Sequence, residues 1–185
     1  LTNLLLVAFV LVWGRVARDG STKRLAWLSL LAALLLINRL DTGLLVLPAL
    51  AVEAWRLRGR AIKAVLAGML PFAAWEAFSI IYYGFPLPNT VYAKLPPNVT
   101  SADLWPHGLL YVIDSWQQDP VVLATIAAAV VVTALVKRRD IPFAFGLILS
   151  LIFTMRVGGD FMSGRFFAAP FVVAVALLSR YAAFE

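Results

Sequence analysis

The stretch "LAWLSLLAALLLINRLDTGLLVLPALAVEAW", residues 25–55, decides how this chain folds, because it is either one long helix or two short ones. Four polar residues interrupt its apolar run near the middle: Asn38, Arg39, Asp41 and Thr42. Gly43 and Pro48 favour a break, since each weakens a continuous helix. We therefore predict a hairpin of two short helices, 25–37 and 44–55, with the polar residues at its tip.

Composition indicates whether the chain folds in water or in a membrane. Apolar residues make up 62% and charged residues 14% of its 185 positions. Globular proteins average about 45–50% apolar and about 25% charged residues, so the composition predicts an integral membrane protein, and its apolar segments predict an all-α one. The absence of cysteine excludes disulfides and thiolate metal sites, and the single histidine, His107, excludes a multi-histidine site within these residues.

Charge placement supports the hairpin and predicts a topology. Seven apolar segments are predicted to span the membrane: 1–13, 25–37, 44–55, 64–82, 120–136, 141–156 and 166–179. With the hairpin split, 12 of the 16 lysines and arginines fall on one side, which the positive-inside rule assigns to the cytoplasm. One long helix would instead place the two most basic loops on opposite sides. The net charge of +6 thus belongs to cytoplasmic loops, and nucleic-acid binding is not expected.

The opposite side, predicted to be extracytoplasmic, gathers the other charges. It holds four basic and five acidic residues: Arg39, Lys94, Arg156, Arg165, Asp41, Asp103, Asp114, Asp119 and Asp160. It also holds a long loop, 85–119, and a loop of that length in a compact domain is more often functional than idle. Its second half, "LWPHGLLYVIDSW", has the apolar spacing of a short interfacial helix, with Trp105, Tyr111 and Trp116 at headgroup level.

Three motifs together resemble the membrane core of the GT-C glycosyltransferases. They are "NRLDTG" at the hairpin tip, "PLPNTVYAKL" at 86–95 and "GGDFMSGRF" at 158–166. Within that superfamily the likeness is closest to the actinobacterial enzymes that add terminal β-1,2-linked arabinofuranose to cell-wall arabinan, and to their bacterial relatives. The resemblance covers about residues 25–170.

The resemblance implies a multi-span helical bundle that acts outside the cytoplasmic membrane. Its donor would be a polyprenyl-phosphate sugar, with arabinofuranose as the expected sugar, and its acceptor a cell-wall or envelope glycan. The main catalytic acid of such enzymes lies in a first extracytoplasmic loop, which we expect to precede this chain. Residues 1–185 would then be one partial transmembrane domain, cut at both ends, that carries the binding half of the site in contact with the lipid bilayer.

The candidate binding residues each have a plain structural alternative. In 158–166 the glycines either form only a tight turn or let backbone approach a ligand. In the second case Arg165 binds a phosphate, and Asp160 accepts a hydrogen bond from a sugar hydroxyl. At the hairpin tip, Arg39 and Asp41 either pair with one another or bind ligand, and such a pair can do both.

The start of the long loop offers three more candidates, Asn89, Tyr92 and Lys94. These residues are either solvated loop residues or are presented to the donor by a segment that prolines stiffen. The pattern leaves open whether a divalent metal assists, because Asp41 and Asp160 offer oxygen ligands but are far apart in sequence. A lipid-linked sugar flippase and a non-enzymatic envelope assembly protein remain the rival interpretations.

Overall fold

The computed structural model describes residues 1–86, 101–136, 138–160 and 162–182, with backbone alone at 101–103 and 182. Within these ranges there is no strand, and the α-helices follow in the order α1 (Thr2–Asp19), α2 (Thr22–Asn38), α3 (Gly43–Leu57), α4 (Gly59–Tyr83), α5 (Ser101–Gln118), α6 (Pro120–Val136), α7 (Ile141–Arg156) and α8 (Ala168–Ala182). Single 3₁₀ turns occupy Leu40–Thr42, Arg138–Asp140 and Arg165–Phe167. The predicted all-α fold is confirmed for these residues.

The predicted hairpin is also confirmed, since α2 ends at Asn38 and α3 begins at Gly43. Arg39 ends α2 because its backbone turns extended, with a φ of −154°. The Thr42 hydroxyl then donates to the Arg39 carbonyl at 2.6 Å, which closes the 3₁₀ turn at the tip. Pro48, in contrast, lies inside α3 and does not interrupt it, so the polar tip and not the proline makes the break.

Two hydrogen-bonded contacts show how α1 lies relative to the hairpin. The Asn38 side chain donates to the Thr2 hydroxyl, which joins the end of α2 to the start of α1. The Arg56 guanidinium donates to the carbonyls of Val16 and Ala17, at 2.9 and 2.8 Å, which joins the end of α3 to the end of α1. The bundle therefore has two distinct ends. We name the end with Thr2 and Asn38 the cavity end, and the end with Ala17 and Arg56 the closed end.

The core lies between α1, the hairpin and the two last helices. Trp13 and Phe9 of α1 meet the buried ring of Phe143 of α7 edge to face, with ring centroids 5.0 and 6.2 Å apart. Around this contact α3 packs on α7, α2 on α4 and α6 on α8. Burial of large apolar side chains and close packing thus hold the seven predicted apolar segments together as one bundle.

All seven predicted segments are helical, but most of these helices are short for membrane spans. Among the described residues, α4 alone is long and apolar enough to cross a bilayer, and the bent pair α5–α6 makes a second candidate if it counts as one span. A helix of 15 to 18 residues, as α1 to α3 are, is about 22–27 Å long against a hydrocarbon core of about 30 Å. The structure therefore supports membrane association through one or two helices, and seven crossings stay a prediction.

The region predicted as one long extracytoplasmic loop contains a longer helix than its sequence indicated. Helix α5 has 18 residues and meets α6 at an angle of 107°, so it lies across the end of the bundle. Trp105 and Trp116 are exposed, as an interfacial position requires. Tyr111 departs from that prediction, because its side chain is buried against the bundle and not turned to the headgroups.

Candidate functional site

An open cavity of about 700 Å³ lies at the cavity end. The start of α1, the hairpin tip, the last turn of α5 and the α7–α8 turn all contribute to its wall. Its polar lining is Thr2, Asn3, Arg39, Ser115, Gln118, Asp119, Ser163 and Arg165, and its apolar lining includes Val122, Phe167 and Phe171. Two of the sequence-predicted residues, Arg39 and Arg165, are thus brought into one site from opposite parts of the chain.

Arg39 reaches this cavity from the hairpin tip, where Asp41 holds it. The Arg39 Nε and Nη2 atoms donate to the two carboxylate oxygens of Asp41, at 3.1 and 2.6 Å. Such a bidentate pair fixes the plane of the guanidinium. The predicted pairing of the two residues is therefore present, and it leaves Arg39 in the cavity wall with about a third of its side chain exposed.

Arg165 is held in a similar way but less tightly. Its Nη1 atom lies 3.1 Å from Oδ2 of Asp160, a single contact. Asp160 is nearly enclosed, with 6% of its side chain exposed, whereas 55% of the Arg165 side chain is exposed. The aspartate consequently acts as a fixed anchor, and the arginine presents its remaining donors to the cavity.

The turn that carries this pair depends on its glycines. After α7 ends, Gly158 and Gly159 adopt φ values of 78° and 75°, a left-handed conformation that side chains disfavour. A Cβ atom on Gly159 would lie 2.5 Å from the ring of Tyr111, so no side chain fits at this position. The turn predicted from "GGDFMSGRF" is present, and it also brings Arg165 to the cavity.

Helix α5 holds the other side of the turn. The Tyr111 hydroxyl donates to the Met162 carbonyl and accepts from the Phe166 amide, both at 3.1 Å. One helical turn later, the Gly164 amide donates to Ser115 Oγ at 3.3 Å. The backbone of the turn is therefore hydrogen-bonded to side chains of α5 on both sides of Arg165.

Two titratable groups on α5 respond to this arrangement. Burial raises the pKa of the Tyr111 hydroxyl, an effect that the Phe166 amide partly offsets and the charge of Asp160 reinforces. Hydrogen bonds from Ser163 and Gln118 lower the pKa of the Asp114 carboxyl. Tyr111 therefore stays a neutral hydroxyl that can both donate and accept, and Asp114 a carboxylate that ties Ser163 to α5.

The described part of the site has no cluster of metal ligands. Across 1–86, 101–136, 138–160 and 162–182, no three histidine or acidic side chains come together as ligands for an ion. Asp41 and Asp160, the two predicted oxygen donors, each face an arginine. The described part of the site thus offers cationic donors to a ligand.

The sequence-predicted residues fall into three groups. Arg39 and Arg165 line the cavity, Asp41 and Asp160 support them, and Asn89, Tyr92 and Lys94 lie outside the described residues.

Sequence reasoning missed Tyr111, Ser115 and Gln118 as parts of this site. The signal was available, because Leu104, Gly108, Tyr111 and Ser115 recur at helical spacing and mark one face of α5.

Chemically, the cavity suits an anionic group with an apolar portion. Two guanidinium groups can give paired hydrogen bonds to phosphate oxygens. Hydroxyl and amide side chains from Ser115, Ser163 and Gln118 provide partners for sugar hydroxyls. The aromatic side chains of Phe167 and Phe171 line the same cavity on its apolar side.

Comparison with known proteins finds similarity to a curated glycosyltransferase. The chain is 28% identical over 157 residues to the terminal β-(1→2)-arabinofuranosyltransferase of Mycobacterium tuberculosis. The similarity covers 68% of this chain and 23% of that protein, so the chain spans about a quarter of the length of the relative it matches. No family profile and no solved structure matches the chain. The chain is therefore a distant relative of part of a glycosyltransferase.

Proposed function

We propose that this chain forms the donor-phosphate half of a membrane glycosyltransferase. The enzyme would move a sugar, arabinofuranose by analogy with its relative, from a polyprenyl-phosphate carrier to an envelope glycan outside the cytoplasmic membrane. The observation that carries this proposal is the meeting of Arg39 and Arg165 in one cavity. The relative's name supplies the reaction class.

The proposed reaction explains why two cations belong in this cavity. When the glycosidic bond breaks, negative charge gathers on the phosphate that leaves while the sugar ring becomes cationic. Guanidinium groups that are already in place stabilise that charge without reorganising. A carboxylate must also take the proton of the acceptor hydroxyl. In the GT-C enzymes that this chain resembles, a first extracytoplasmic loop supplies that carboxylate.

The position of the charges favours a transferase over a flippase. A transporter binds its substrate near the middle of the membrane, between broken helices. Here Arg39, Arg165 and their aspartates lie at one end of the bundle, and the hydrophobic core cluster lies between the two ends. This arrangement suits a lipid-linked head group at a membrane surface.

The deciding test uses the full-length protein in lipid nanodiscs with polyprenyl-phosphate arabinofuranose and a synthetic arabinan acceptor. We expect transfer, and we expect Arg165→Ala to lower kcat/KM about a hundredfold, the scale of removing one oxyanion-stabilising donor. Arg165→Lys should recover only part of the activity because the planar fork is lost.

The matched control is Arg60→Ala, which removes an exposed arginine of α4, one residue into that helix from the closed end, and should leave kcat/KM unchanged. Wild-type rates in Arg165→Ala would contradict the phosphate assignment. Movement of the donor across a vesicle membrane without transfer would show a flippase, and neither activity would point to an assembly protein.

A further inference from the structure

One face of α5 rests on the turn between α7 and α8. At Gly108 the two backbones touch, because a Cβ atom there would lie 2.0 Å from the Met155 carbonyl oxygen. Three residues later Tyr111 enters the turn, and Ser115 follows on the same face. The position of α5 and the shape of the turn are therefore set together.

Tyr111 makes the central contacts of this face. Its ring covers Gly159 and packs against Phe167, with ring centroids 5.5 Å apart. Its hydroxyl bridges the Met162 carbonyl and the Phe166 amide, both at 3.1 Å. The bridged residues lie three positions before and one position after Arg165, so this one hydroxyl spans the segment that carries the arginine.

The Arg165 side chain is not itself locked in a pocket. The side chain is more than half exposed, and its guanidinium meets Asp160 through one nitrogen. The backbone sets where the Cα–Cβ bond of this side chain points, and the Tyr111 bridge fixes that backbone. A shift of about 1 Å in a group that stabilises a transition state can cost a large factor in rate.

We propose that Tyr111 is a positioning residue, which sets where Arg165 presents its guanidinium in the cavity. The inference rests on the proposed function, since it takes Arg165 as the phosphate ligand. It also gives α5 a role, because a helix laid across the cavity end controls the site through this hydroxyl.

A double-mutant cycle tests the proposal with the full-length protein and the same donor and acceptor. Tyr111→Phe keeps the ring and removes the bridge, and we expect it to lower kcat/KM about tenfold, the scale of one hydrogen bond. In the Arg165→Ala background the same change should alter kcat/KM by less than about twofold, because the group it positions is gone. A tyrosine that only stabilised the fold would have the same effect in both backgrounds.

Tyr181→Phe is the matched control. It removes a hydroxyl that donates to Asp140 at 2.6 Å, in the buried contact of Asp140 with Tyr181 and Arg180. Whatever its size, its effect should be the same with and without Arg165. If Tyr111→Phe does not fold, Ser115→Ala removes the neighbouring contact to Gly164 and enters the same cycle.

The possible outcomes separate the two proposals. Additive effects of Tyr111→Phe and Arg165→Ala, with Arg165→Ala itself lowered about a hundredfold, would overturn the positioning role and leave the proposed function standing. Full activity of Arg165→Ala would overturn the proposed function first. A loss from Tyr111→Phe that vanishes in the Arg165→Ala background supports both.

Discussion

The two ends of the bundle use the same chemistry, arginine against aspartate, in opposite ways. At the cavity end Arg165 is 55% exposed and contacts Asp160 through one nitrogen. Near the other end Arg180 is 26% exposed, lies 3.7 Å from Asp140 and stacks over the ring of Trp13. The first arginine has donors left for a ligand, whereas the second is covered by protein. The comparison teaches that exposure, and not the presence of an ion pair, separates the candidate site from a structural contact.

Asp140 lies in a closed polar cluster with Arg180, Tyr181 and Thr133. With 3% of its side chain exposed, it accepts a hydrogen bond from the Tyr181 hydroxyl at 2.6 Å, and that hydroxyl lies 3.4 Å from the Thr133 hydroxyl. A similar arrangement joins α3 to α1, where the buried Glu53 contacts Arg56 and Arg56 binds the last carbonyls of α1. These charges hold helices together and leave the cavity end as the place for a ligand.

The sharpest test of the comparison is whether the two ends face opposite sides of a membrane. Single cysteines at Ser163 and Thr22, both exposed, should label in an all-or-none manner with an impermeant thiol reagent applied to intact cells. We expect Ser163→Cys to react and Thr22→Cys to react only after the cells are opened. Labelling of both from outside would end the predicted topology.

The next largest effect is on stability and compares the two aspartates. Asp140→Ala leaves Arg180 and Tyr181 without their shared partner in a mostly buried site, and should cost about 3 kcal/mol of unfolding free energy. Asp160→Ala should cost less, because water can solvate the exposed Arg165 once the carboxylate is gone. Unfolding in detergent, followed by circular dichroism, measures both. Equal losses would remove the distinction drawn between the ends.

A smaller effect concerns the second arginine of the cavity. Arg39→Ala should lower kcat/KM about tenfold, the scale of one charge-assisted hydrogen bond. The loss should be smaller than for Arg165 because Arg39 commits two nitrogens to Asp41. Transfer rates for the two variants, measured side by side, check the order. A loss in Arg39→Ala greater than in Arg165→Ala would make the hairpin tip the main phosphate site.

The smallest effect is a pH dependence of Asp140's cluster. Burial and the hydrogen bond to Asp140 raise the pKa of Tyr181 to about 12, above its ordinary value of 10.0. The neutral hydroxyl is therefore favoured in the folded protein, and the stability it adds is complete below pH 10 and lost as pH rises towards about 12. The stability difference between wild type and Tyr181→Phe should shrink over that window in detergent. A constant difference would contradict the shift.

The helices and the hairpin were within reach of the sequence because their causes are local. Long apolar runs predict helices in any solvent, and the polar tip at Asn38 to Thr42 marks the break. Basic-residue placement then favoured two helices over one. The bounds of α6 and α7 agree with the predicted segments, and α1 and α4 extend beyond theirs into polar flanks that apolarity alone does not mark.

The site was predictable only in part because its contacts join distant segments. Arg39 and Arg165 stood out as charges beside apolar runs, but nothing in the sequence indicates that they share one cavity. Tyr111 was assigned to the headgroups because tyrosine is common there, whereas tertiary contacts bury it against Gly159. The residue type alone predicted a headgroup position for Tyr111, and only the tertiary packing shows its contact with the turn.

The contact of α5 with the end of α7 has an evolutionary consequence. At Gly108 and Gly159 any side chain would collide with backbone or with an aromatic ring, so neither position can drift without moving the helix. The outward face of α4, by contrast, exposes Leu66, Leu70 and Ile81, which other apolar residues can replace. As homologous sequences diverge, these two glycines should therefore persist while that face changes freely, and their joint loss would mark lineages in which this end of the protein has taken another form.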